Sequence, residues 1–206
     1  MAAPITHIVL AEKIFEKYFA DKDKKEFFLG TSFPDIRYLG ALDRSKTHFK
    51  VSNIQDTLES SAFLSGMKFH SLVDIVRERF MRNNGLYDLF PKSQVLSMAI
   101  KVFEDGILYK RINNWKEIIS FFEDINKNEA AFGVSNQNIE KWHILLKHYF
   151  SQPPITDKAV KMLVEDMGHP AEMADKIIKV LAGIKDKDKA AEIVNNFYSS
   201  SVILLA

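Results

Sequence analysis

The chain has 206 residues, with 28 Lys and Arg against 27 Asp and Glu, a net charge of +1, and no cysteine. That length can bury a core without staples, and the balanced charge excludes a broad nucleic-acid surface or a polybasic membrane anchor. Without cysteine there is no disulfide framework, thiolate zinc finger, iron–sulfur cluster or Cys nucleophile, so any metal must be held by histidine, carboxylate or backbone groups.

The 8 glycines and 6 prolines fall well below the usual ~12%, and few stretches alternate with period two. An all-α, multi-helix bundle is expected. Residues 4–19 place His7, Leu10, Ala11, Ile14, Phe15 and Tyr18 on one helical face, and Pro4 suits a first turn. Residues 24–29 form a short helix ended by Gly30. The stretch 30–40, with Gly at both ends and Pro34 inside, reads as a loop or single turn. A polar connector follows to Asn53. Residues 54–82 read as one long helix closed by Asn83-Asn84-Gly85, and 92–109 as another. Helices are expected over 115–125, with Asn114 as N-cap, and over 135–150.

Ser151-Gln152-Pro153-Pro154 is the strongest break in the chain. Beyond it, 156–167, 170–181 and 188–202 read as three Lys-rich helices, with Thr156 and Asp188 as caps and Gly168 and Gly183 as stops. The expected organisation is a helical domain over 1–152 and a C-terminal helical segment over 153–206 packed on it. The N-terminus lacks a basic start and a long apolar run, and no window approaches ~18 apolar residues, so a cytoplasmic protein without a spanning helix is expected.

The metal question falls on six histidines: His7, His48, His70, His143, His148 and His169. His70-Ser-Leu-Val-Asp74 puts an imidazole and a carboxylate at i and i+4, ~6 Å apart at Cβ, which suits two ligands of one ion. Alone, this pair reads first as a satisfied core His–Asp contact. Asp35 follows Pro34 in a Gly-bounded stretch, His48 stands alone in Thr47-His48-Phe49, and His7 lies on the apolar stripe of the first helix. Each alone reads as structural; their order carries more weight. Glu140-Lys-Trp-His143 has the spacing of a di-iron helix but lacks the second such helix the site needs. His143 and His148 read as exposed or half-buried, without matching partners. Phe27-Phe28 and Phe121-Phe122 read as core.

Pro4-Ile5-Thr6-His7 opening a helix, Gly30…Pro34-Asp35, Thr47-His48, and Ala62-Phe-Leu-Ser-Gly66…His70-x-x-x-Asp74 occur in that order over the first 110 residues or so. In this order they resemble the zinc-dependent phospholipase C family, which is related in fold to P1 nuclease-like proteins. The resemblance implies a helical bundle with three clustered zinc ions that hydrolyses phosphodiester bonds. By the same resemblance Asp35, His48, His70 and Asp74 match the protein ligands of one zinc site, Asp74 matching a carboxylate that bridges two ions. His7 matches a ligand of a site that also uses the free N-terminus.

The chain departs from the family as a degenerate member would. The family supplies further histidines and a His-x-x-x-Glu helix; here no histidine occurs between Asp74 and His143, and Ser97 and Lys101 stand at the equivalent spacing. An ammonium repels a cation, so that third site is expected to be absent. No Trp stands at Met1 or Ala2, so the site at His7 is expected to be weak or empty.

The resulting expectation is one zinc ion on Asp35, His48, His70 and Asp74, with a second site sharing Asp74 with His7, or His7 supporting the first. A metal-bound water with its pKa near ~7 would serve as nucleophile, with Asp35 orienting or deprotonating it. The substrate would be a phosphoester, a phospholipid or a nucleotide. The alternative is a non-catalytic helical domain that keeps a structural metal site or a metal-free His/Asp network.

Overall fold

The computed structural model describes residues 2–206, all helix and connection with no strand among them; Met1 lies outside the described residues. The all-α expectation holds. Pro4 fixes the first turn of α1 (Pro4–Tyr18). Ala3 offers no side-chain cap, so the exposed N–H groups of this end are met from another helix. Ile5 and Thr6 donate to Asp105 on α5 (Leu96–Leu108) at 3.0 and 2.8 Å, and the hydroxyls of Thr6 and Tyr149 donate to the same carboxylate.

Asp23 caps α2 (Lys24–Ser32) by accepting from Glu26 N at 2.7 Å. Here the sequence expectation is corrected. Gly30 does not end this helix; α2 runs on to Ser32 and passes directly into a 3-10 turn over Phe33–Leu39, which ends at Gly40 with φ of 70°. Gly30 serves close approach instead. A Cβ on Gly30 would lie 2.0 Å from the carbonyl oxygen of Phe63, and one on Gly66 would lie 2.2 Å from that of Phe27. The backbones of α2 and α4 (Ala62–Asn83) therefore meet at a glycine–glycine crossing. Around it Phe15, Phe19, Phe27, Phe28 and Phe69 pack edge-on or tilted, with ring centroids 4.4–6.2 Å apart.

The short α3 (Arg44–Thr47) and a 3-10 turn over Ile54–Thr57 precede α4. The expected helix over 54–82 is thus broken, because Ser61 caps α4 and leaves residues 58–61 as a bend. Arg77 on α4 donates to Glu104 on α5 through Nε at 2.9 Å, a buried pair that ties the two helices. The expected helix over 115–125 stops at Ser120 as α6 (Trp115–Ser120), capped by Asn114 as expected, and a separate α7 (Lys127–Ala130) opens on an Asn126/Glu129 capping box. Then come α8 (Asn136–Phe150), α9 (Asp157–Asp166), α10 (Glu172–Ala182) and α11 (Lys187–Leu205). Ser135 and Thr156 act as caps, but Asp186 caps α11, not Asp188.

Residues past Pro154 lie against the earlier helices: α9 on α8, α10 on α5, and α11 on α4 and α5. Lys185 N donates to Leu89 O at 2.9 Å, and Lys13 Nζ reaches Ser199 O at 3.2 Å. No helix of the described residues is long and apolar enough to cross a membrane.

His143 is corrected too. It is buried, its Nε2 lies 2.8 Å from Glu129 Oε1, and its ring stands edge-on to Phe122, so it joins α8 to α7. His148 does lie exposed, but with a partner, Asp166 Oδ2 at 3.1 Å. Phe27, Phe28 and Phe122 are buried, as the core reading expects.

Candidate metal centre

The glycine crossing positions the site. Four residues after Gly66, His70 projects from α4 toward α2, and its Nδ1 lies 2.9 Å from the backbone carbonyl of Thr31, the residue after Gly30. A carbonyl only accepts, so Nδ1 carries the proton and Nε2 carries a lone pair. One turn on, Asp74 faces the same way. The 3-10 turn that continues α2 carries Asp35 to the same point, and α3 ends at His48. Phe49 N donates to Ser71 Oγ at 3.0 Å, which fastens the chain after His48 to α4. His7 arrives from the apolar face of α1 and stacks on His70 at 3.8 Å between centroids.

All five candidate ligands therefore converge, from four separate segments of the chain, with His70 and Asp74 sharing α4. His48 Nε2 lies 3.4 Å from Asp74 Oδ2, and His70 Nε2 lies 3.9 Å from the same oxygen and 4.0 Å from Asp35 Oδ1. His7 Nε2 lies 3.5 Å from Asp74 Oδ1. They fall into two overlapping trios able to hold an ion, Asp35 with His48 and His70, and His7 with His70 and Asp74. Metal bonds of 2.0–2.2 Å in a tetrahedron put ligand atoms ~3.4 Å apart; the pairs at 3.4–4.0 Å are close to that, while the other pairs of each trio lie within 4.8 Å.

The hydrogen bonding also fits a cation. Thr47 Oγ1 gives its proton to Arg44 O at 3.3 Å and so accepts from His48 Nδ1 at 2.9 Å, which leaves His48 Nε2 with a lone pair as well. His48 Nε2, His70 Nε2, Asp35 Oδ1 and Asp74 Oδ2 are buried and have no hydrogen-bond partner. Burial, with His7 beside it, pushes the His70 imidazole down to about 3, so it is neutral at pH 7. Lone pairs thus face carboxylate oxygens across 3–4 Å, an arrangement that a shared cation or proton must relieve.

Two arginines and a lysine surround this cluster; sequence reasoning singled out only Lys101, as an ammonium that would repel a cation. Arg37 NH2 lies 3.5 Å from Asp35 Oδ1, and Arg44 NH2 lies 3.5 Å from Asp74 Oδ2. Asp74 Oδ1 also accepts from Ala2 N at 2.7 Å. Lys101, from the helix where the family would place a ligand, is buried and donates to Tyr38 OH at 2.7 Å. Burial acts to lower the Lys101 ammonium, yet Asp35, Tyr38 and Asp74 together raise it above its ordinary value. The signal for Arg37 and Tyr38 was their place one turn from Asp35; Arg44 had none beyond lying four residues before His48.

Neither a protein-family model, nor a curated protein, nor a solved structure matches the chain.

Proposed function

We propose that the chain is a metal-dependent phosphoester hydrolase with a reduced metal set, built on Asp35, His48, His70 and Asp74 with zinc as the ion. The observation that carries this reading is the convergence of two imidazole lone pairs and two carboxylate oxygens, all buried and without hydrogen-bond partners. A zinc ion there would polarise a phosphoryl oxygen and make bound water acidic enough to attack at neutral pH. The Thr31 carbonyl fixes the His70 tautomer and Thr47 fixes that of His48, so both rings present Nε2 to the site. Asp35, with Arg37 NH2 3.5 Å from its Oδ1, would be the carboxylate placed to accept a proton from a water held there. Arg44, half exposed, lies 3.5 Å from Asp74 Oδ2 at the edge of the cluster. His7 stacks on His70 and contacts Asp74, a supporting partner or a ligand of a second ion that shares Asp74.

A second reading is favoured by the depth of the site. Asp35 and Asp74 are 3% and 4% exposed and each has an arginine within 3.5 Å, as a structural metal site or a metal-free His/Asp network would show. Metal analysis and turnover separate the two. The hydrolase takes up about one equivalent of zinc and cleaves bis-p-nitrophenyl phosphate in a zinc-dependent way. Uptake of zinc without turnover supports the structural site, and less than about half an equivalent after zinc addition refutes both metal readings.

A further inference from the structure

One cation beside the cluster is fixed in place. Lys101 projects from α5, the helix that also holds the start of α1: one turn on, Asp105 accepts from the amides of Ile5 and Thr6. The same helix face brings Lys101 to the 3-10 turn over Phe33–Leu39, where its Nζ donates to Tyr38 OH at 2.7 Å. Side chains three apart in a 3-10 turn eclipse one another, so Tyr38 fixes the ammonium on the side of the turn that carries Asp35. Ala3, Pro4, Met98, Val102 and Trp142 line the narrow recess around it and supply no carboxylate. Burial opposes its charge, yet Asp35, Tyr38 and Asp74 raise the ammonium above its ordinary value.

The cations of the cluster differ in their access to water. Arg44 is half exposed and Arg37 partly so, and solvent screens both charges. Lys101 is 7% exposed and enclosed by packed side chains. Its charge is not screened in this way, and an ammonium repels a divalent ion strongly at short range in a poorly polarisable interior. The carboxylates that a metal would use, Asp35 and Asp74, are the ones that already face Lys101. Ion and ammonium therefore compete for the same two negative charges.

We propose that Lys101 is a specificity-determining residue of the centre: a tethered counter-cation that balances Asp35 and Asp74 when no metal is bound and weakens the hold on a divalent ion when one arrives. This inference rests on the metal reading of the cluster. Its consequence is a centre that stays folded without metal and exchanges it readily, so that occupancy follows the supply of free zinc.

Lys101→Gln removes the charge and keeps an N–H donor for Tyr38 OH, while Lys101→Arg keeps the charge and serves as the control. Zinc affinity is measured by competition with a chromophoric chelator, and thermal unfolding is followed with and without zinc. Lys101→Gln should bind zinc about tenfold or more tightly than the parent. Its zinc-stripped form should melt about 3 °C or more below the stripped parent, because two buried carboxylates have lost a counter-charge. Lys101→Arg should bind zinc within about threefold of the parent. A lysine that only fills space would lower the stability of both forms and leave zinc affinity unchanged or weaker. If stripped Lys101→Gln does not fold, zinc should restore its structure, since the ion then balances the carboxylates; a variant that stays unfolded in saturating zinc overturns the proposal. Zinc binding by Lys101→Gln equal to or weaker than that of the parent, or an equal gain in Lys101→Arg, overturns it as well. Absence of zinc uptake by the parent and both variants is the distinct outcome that removes the metal reading, and this inference with it.

Discussion

A Cβ added at Gly66 would lie 2.2 Å from the carbonyl oxygen of Phe27 and 2.7 Å from Thr31 N, both backbone atoms that no rotamer can move. Ordinary contact begins near 3.4 Å, so Gly66→Ala must drive α2 from α4 by ~1 Å. The same shift stretches the 2.9 Å bond from His70 Nδ1 to Thr31 O to ~3.9 Å, beyond hydrogen-bond range. Overpacking costs ~1–3 kcal/mol and the orphaned buried pair adds ~1–3 kcal/mol, while the better helix propensity of Ala returns ~1 kcal/mol. The net loss is ~1–5 kcal/mol, or ~2–20 °C in Tm for a chain of this size. With His70 free to turn, zinc affinity should fall ~10–100-fold. Thermal unfolding by circular dichroism and zinc titration of the metal-free protein read the two effects. Gly40→Ala is the control: Gly40 has φ of 70° with nothing within 4 Å of a built Cβ, so it should cost ~1 kcal/mol in backbone strain and leave zinc affinity unchanged. A Gly66→Ala protein that melts within ~1 °C of the parent and binds zinc equally well would refute the argument that the crossing sets the site.

Asp74→Ala removes the oxygen nearest to His48 together with the acceptor of the Ala2 amide; zinc content measured by atomic emission should fall to background, and unchanged content would remove Asp74 from the site. Burial pushes the Asp105 carboxyl up to about 7, against the hydrogen bonds from Thr6 and Ile5. An unfolded aspartate ionises near ~3.9, so between these values the native state holds a proton that the unfolded chain has lost. The stability this gives is full below ~4 and disappears as pH rises through about 7. The urea midpoint of the parent relative to Asp105→Asn should therefore fall from pH 4 to pH 7, and a flat difference would contradict the assignment. His143→Ala leaves Glu129 buried without its 2.8 Å partner and opens a void beside Phe122, at a cost of ~3–5 kcal/mol in urea unfolding with zinc affinity unaffected; a loss below ~1 kcal/mol would mean the pair is not structural.

The sequence by itself determined the helical class and most caps, because these depend on local spacing, and it named five candidate ligands, of which spacing ties only His70 to Asp74. His70 and Asp74 are four apart on any helix, and Ser61, Ser135 and Thr156 meet N–H groups only three residues away. It misjudged Gly30, since a glycine that stops a helix and one that admits another backbone look alike until the partner helix is present. It misjudged His143 for the same reason: Glu129 lies fourteen residues away in the chain, beyond the reach of any helical period. Only the tertiary structure placed His7 on the His70 ring, fixed the His70 proton through Thr31 O, and set Lys101 and Trp142 in one recess. Lone pairs and buried donors acquire meaning from what faces them across packed helices. That information belongs to contacts between distant segments, and no local pattern carries it.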